Sequence, residues 1–174
     1  MRKVSIPITT ARLQIRAMAA TDSNARYRLH ADPDYIRFVG ATITRDASDR
    51  QLESEMAGAG SQWRQVLAIS DRTTHVMLGE CALIYGSNGD VELVIAILPE
   101  ARHCGRAREA AVAATAAVFG DTNVQRVIGK VAEGNSESLK LVHAIGMSPA
   151  DPPQEQRSGC NFAIFEATRE SRGA

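Results

Sequence analysis

The chain has 174 residues, 44% of them hydrophobic, with 20 Lys and Arg balanced by 20 Asp and Glu. That length suits one domain, residues 1–174, with a sizeable core, and the zero net charge argues against the basic surplus of a nucleic-acid-binding surface. No stretch reaches the roughly 20 apolar residues of a membrane helix.

Arg12 and Arg16 break up any apolar run behind Arg2 and Lys3, so a signal peptide is not expected. Cys81, Cys104 and Cys160 are odd in number and lack metal-like spacing, which predicts a reduced, cytoplasmic protein with no metal.

Taken in order, residues 12–16 alternate polar and apolar and predict a short strand. Thr21 is expected to cap a helix that runs to about Ala31, and Asp32-Pro33 ends it. A short helical turn over Asp34 to Gly40 carries Tyr35, Ile36 and Phe38. Asp46 to Gly58 predicts another helix, with Leu52 and Met56 as its apolar stripe and Gly58 and Gly60 closing it. Trp63 is expected in the core or a cleft wall. Val66 to Ser70 and Val76 to Tyr85 then read as strands, and Gly86 to Asp90 is a turn that makes the next strand an antiparallel partner.

That next strand opens the most informative stretch. Val91, Leu93, Ile95 and Ile97 fall on one face and Val94, Ala96 and Leu98 on the other, so it is an interior strand. Pro99 stops it. Arg102, His103, Cys104, Gly105, Arg106 and Ala107 form a basic turn at the start of a helix with Ala110, Ala111, Ala114, Ala117 and Val118 at helical spacing. Free helix-start amides, a glycine and several cations make an anion site, best suited to a phosphate or pyrophosphate. Arg102, Arg106 and Arg108 oppose the helix dipole there, which favours a bound anion over a merely solvated turn. Val124 to Ala132 predicts a strand, and Asn135 caps a helix over Ser136 to Ile145 that Gly146 stops. Residues 150–160, with Pro152 and Pro153, read as a loop; 161–168 as a last strand; 169–174 as a frayed tail.

The run Arg102-His103-Cys104-Gly105-Arg106-Ala107 resembles the Gln/Arg-x-x-Gly-x-Gly/Ala signature of the GNAT N-acetyltransferases. Val91-Glu92-Leu93, Leu98-Pro99-Glu100, Arg126-Val127, Asn135-Ser136-Glu137-Ser138 and Gly146-Met147 are similar, in order and spacing, to the branch that acetylates ribosomal-protein N-termini. His30-Ala31-Asp32-Pro33 resembles that branch's early helix exit. The likeness spans roughly residues 10 to 148 and is specific over 91 to 147; the proline-containing segment after Gly146 is unlike that branch's closing hairpin.

The resemblance implies an α/β fold, a mixed and mostly antiparallel sheet of about six to seven strands flanked by about four helices. It also implies acetyl-CoA as co-substrate, with its pyrophosphate on the basic turn. The backbone of Ala96, Ile97 and Leu98 would pair with pantetheine where the strand splays from its neighbour, Asn135 would contact the cofactor, and Ser138 would protonate the leaving thiolate. The acceptor is then a primary amine, either a protein N-terminus or a small molecule such as an antibiotic or polyamine, and a homodimer is expected.

Glu92 is the candidate base, as the one ionisable residue inside an apolar strand, where burial raises a carboxyl's pKa; pairing with an Arg is its structural alternative. Glu80 is a rival for that role. Asn135 and Ser138 have a structural alternative as cap and first-turn residue. His30, His75 and His143 show no partner spacing. A non-catalytic acyl-CoA sensor and an unrelated nucleotide module are the competing readings, the latter lacking a Gly-Lys-Ser/Thr motif.

Overall fold

The computed structural model describes residues 3–38, 42–58, 62–157 and 160–169. The expected Gly40 and Gly60 stops and the tail beyond Arg169 lie outside them. Alternation sets the strands. In β2 (Leu13–Ala17), Leu13 and Ile15 are fully buried while Gln14 and Arg16 are half-buried, and a two-residue strand, β1 (Ile8–Thr9), pairs with it at the sheet edge.

The Thr21 cap is not formed. Ala20–Asp22 is a 3₁₀ turn, and helix α1 (Ser23–His30) starts behind it. Asp22 is buried, with its carboxylate accepting from the Ala19 amide at 2.8 Å and from Arg16 at 2.7 and 2.9 Å. Helix α2 (Pro33–Phe38) follows, with the Tyr35 amide donating to Asp32 Oδ1. Thr44 caps α3 (Arg45–Met56) through the Ala47 amide. Of its expected stripe only Leu52 is buried; Met56, the last residue of the helix, is 42% exposed. Trp63 is 57% exposed, so it belongs to the surface and not to the core.

Strands β3 (Arg64–Asp71), β4 (Met77–Tyr85) and β5 (Asp90–Ile97) form an antiparallel meander. Helix α4 (Arg106–Val118) leads to β6 (Arg126–Ala132), the one strand paired parallel, on β5. Helix α5 (Ser136–Ala144) leads to β7 (Ser148–Arg157) and β8 (Cys160–Thr168). The sheet has eight strands in the order β1-β2-β3-β4-β5-β6-β8-β7.

The sequence reading missed β1 and β7. Residues 148–157 form the outer strand of a closing hairpin, not a loop. An edge strand need not donate on its outer side, so proline is tolerated there. Pro152 falls where the register jumps between Pro149 and Gln154, off the ladder. Arg169 is also no frayed end, since its Nη2 donates to the carbonyls of Phe119, Asp121 and Val124.

The alanines of α4 let it lie close on the sheet, with Ala110, Ala111 and Ala114 fully buried. Helix α5 sits beside it, and at Gly129 a Cβ would come within 3.2 Å of Val142. The Glu80 side chain meets Arg26 and His30 of α1, and Arg26 in turn pairs with Glu55 of α3. Among the described residues no helix is long and apolar enough to cross a membrane.

Candidate active site

A cavity of about 610 Å³ opens between α2, the end of β5, the basic turn and the start of α5. Its floor is a gap in the sheet. Pairing between β5 and β6 ends at Glu92 with Ile128, although β5 continues to Ile97 and β6 to Ala132. Successive residues of a strand aim their backbone groups at opposite edges. The Leu98 amide donates to Leu78 on β4, so Ala96 and Leu98 face that ladder. Ile95 and Ile97 face the gap instead, and both line the cavity, as Ala96 does from the β4 side. Of the three backbone positions expected to pair with pantetheine, Ile97 faces the gap and Ala96 and Leu98 do not. Ile95, two residues earlier, was missed; the parity of the hairpin register would have identified it.

The turn meets the expected form. Gly105, at φ +78°, is the N-cap of α4, and no side chain caps the helix. The amides of Arg106, Ala107 and Arg108 therefore lack an intrahelical acceptor, the first i to i−4 bond running from Glu109 to Gly105. His103 also adopts a positive φ, +59°, a conformation costly for a residue with a Cβ. Facing the turn, Asn135 caps α5 by accepting from the Ser138 amide at 3.0 Å, and both residues line the cavity.

The family model of the acetyltransferase (GNAT) domain matches residues 12–148. The chain belongs to the GNAT acetyltransferase family. It is accordingly an acyltransferase whose donor is acetyl-CoA. No curated protein matches it in sequence.

Among solved structures, a GNAT-family acetyltransferase from Bacillus anthracis is similar at TM-score 0.81 and 18% identity, over 95% of this chain and 99% of that one. A spermidine N-acetyltransferase from Vibrio cholerae, solved with CoA and spermine, is similar at TM-score 0.79 and 16% identity, over 95% and 100% of the two chains. An aminoglycoside acetyltransferase in complex with coenzyme A gives TM-score 0.74 and 13% identity, over 92% and 97%. These likenesses establish the fold.

Within this GNAT fold the predicted residues fall into distinct places. Arg102 is committed elsewhere. Its guanidinium pairs with Asp32 at 2.7 Å and Asp34 at 3.1 Å, and its Nε donates to the Ile97 carbonyl. Arg106 donates to Cys104 Sγ and the Ala101 carbonyl, and Arg108 to the Ala144 carbonyl. Three cations at this helix start thus have protein partners, so they do not by themselves demand an anion. The free amides are the stronger sign. Cys104 is exposed, donates its thiol to the Ala101 carbonyl and lies outside the cavity lining.

Glu92 and Glu80 differ more. Glu92 is half-buried and paired with Lys130 at 3.3 Å, which also binds Glu155. It sits four residues before Ala96, ~13 Å along the strand, and is not part of the cavity wall. Glu80 is likewise outside the cavity wall, but it lies directly opposite Ala96 in the β4–β5 register and is 4% exposed. Its Oε2 accepts from Arg26 Nε at 3.3 Å and contacts His30 Nε2 at 3.2 Å. Burial opposes its ionisation, but the hydrogen bond and charge of His30, with the charges of Arg26 and Arg64, outweigh that and hold its carboxyl below the usual range.

Arg26, 1% exposed, also binds Glu55 at 3.2 Å and the Ser48 carbonyl at 2.9 Å. Tyr35 stacks on His30 at 4.7 Å and lines the cavity; burial, then the charge of Glu80, push its phenol up to about 12. Sequence spacing could not join His30 to Glu80, fifty positions away on another element.

Proposed function

We propose that the protein is an N-acetyltransferase that moves an acetyl group directly from acetyl-CoA to a primary amine in a ternary complex. The observation that carries this reading is the pairing of an uncapped helix start with an unpaired strand edge along one cavity. The amides of Arg106, Ala107 and Arg108 suit a pyrophosphate, and the edge at Ile95 and Ile97 that β6 leaves unpaired, where Arg102 holds the Ile97 carbonyl, suits the amides of a pantetheine arm. Such an arm would deliver its thioester towards Ala96, beside Glu80.

The neutral amine attacks the thioester carbonyl carbon, forming the C–N bond. Collapse of the tetrahedral intermediate breaks the C–S bond and expels the CoA thiolate. Ser138, on the cavity wall, supplies a proton to that thiolate. The amine's proton leaves towards the Glu80–His30 pair, which is closer to Ala96 in register than Glu92 is.

The ribosomal-protein-like motifs favour a protein N-terminus as acceptor; the polyamine and aminoglycoside enzymes of the same fold make a small amine the alternative. Release of free thiol from acetyl-CoA, followed across N-terminal peptides, spermidine and an aminoglycoside, tests this. One class should show saturable turnover. Saturable CoA binding with no thiol release from any amine would replace the enzyme with an acyl-CoA sensor.

A further inference from the structure

We infer that Arg12, at the entry to β2, is a positioning residue that holds the anion turn in its binding form. This inference rests on the donor reading above. Arg12 Nη1 donates to the Cys104 carbonyl at 3.0 Å, across ninety-two positions of sequence. Its Nε donates to Glu109 Oε2 at 2.7 Å and its own amide to Glu109 Oε1 at 2.9 Å. Thr10 Oγ1 donates to the same Oε1 at 2.6 Å and accepts from the Leu13 amide at 2.9 Å. The connection between β1 and β2 thus grips both the turn and the first turn of α4.

Two consequences follow from elementary geometry. In a trans peptide the C=O and the following N–H point in opposite directions. Pinning the Cys104 carbonyl on Arg12 therefore aims the Gly105 amide away from Arg12, and Gly105 lines the cavity while Arg12 does not. The second consequence concerns Glu109. A carboxylate in the first turn of a helix can compete with an outside anion for the free amides. Thr10 and Arg12 tie the Glu109 carboxylate down, and a guanidinium offsets its charge. The Arg12 side chain is 52% exposed, so the ion pair adds little to stability. Its effect falls on the shape and charge of the anion turn.

The test titrates wild type and Arg12→Ala with CoA and with pantetheine, which shares the arm but lacks the pyrophosphate. The variant should keep an unliganded melting temperature within a few degrees of wild type and bind CoA about tenfold more weakly or worse. Its response to pantetheine should be unchanged. Arg12→Lys, which replaces a planar fork by a single point donor, should fall between the two. CoA binding as tight as wild type, or equal loss of both ligands, overturns the proposal.

If Arg12→Ala does not fold, Arg12→Gln serves, since it keeps much of the side-chain length but loses the guanidinium fork that spans the Cys104 carbonyl and Glu109. Selective weakening of CoA supports the brace, and unchanged CoA binding overturns it. Wild type failing to bind CoA would bring down the donor reading and the brace with it; wild-type binding with indifferent variants brings down the brace alone.

Discussion

The anion turn of the cavity and the ionic network behind Tyr35 are built on opposite plans. The donor side is local. Residues 102–108 supply a turn whose binding groups are backbone amides, and side chains serve mainly to hold it. Behind Tyr35, outside the cavity lining, α1, α3 and β4 assemble a network whose groups are side chains: Arg26, His30, Glu55 and Glu80. A backbone site tolerates changes of side-chain chemistry but not of conformation. A buried ionic site is the reverse, because each member leaves the others desolvated when removed.

The largest expected effect lies in the ionic network. Glu80→Ala leaves Arg26 buried with less compensation, and we expect a loss of about 3–5 kcal/mol, read as a fall of roughly 10 °C in melting temperature. A loss under ~1 kcal/mol would mean that the network is dispensable. Ser138→Ala, on the donor side of the transfer point, should lower kcat about 10²-fold with CoA binding retained; an unchanged kcat would assign the proton to another donor.

The pH dependence sharpens the contrast further. The Glu80 carboxyl is held below its ordinary range, so its contribution is complete above that range and lost as pH falls through the folded value. Glu80→Gln should flatten the acid limb of a stability–pH curve, and an unaltered limb would place the loss elsewhere. Glu92→Gln should be the mildest, within about threefold in kcat/KM, since its partner is a lysine outside the cavity. A 10²-fold loss would restore Glu92 as the base.

The same contrast explains what could be read from the sequence. Gly105, Ala107, Asn135 and Ser138 are defined by short-range spacing against a strand and a helix start, and the structure brings them to one cavity. Which of residues 95–98 face the gap turns on strand parity, which only the register reveals. Strand β7 was hidden because Pro152 and Pro153 fall in a register jump at the sheet edge, a context that composition does not encode. Arg102 looked like a phosphate ligand because Asp32 and Asp34 lie about seventy positions earlier. His30 had no visible partner for the same reason.

The central claim, that the uncapped start of α4 holds the pyrophosphate of CoA, is tested most directly by titrating wild type and Gly105→Val with CoA. Gly105 has φ +78°, which a β-branched residue resists, so the substitution distorts the turn while deleting no charged group. The prediction is saturable binding by wild type and a loss of about 10²-fold or more in the variant, with a melting temperature lowered by only a few degrees. Equal CoA affinity in the two proteins would contradict it.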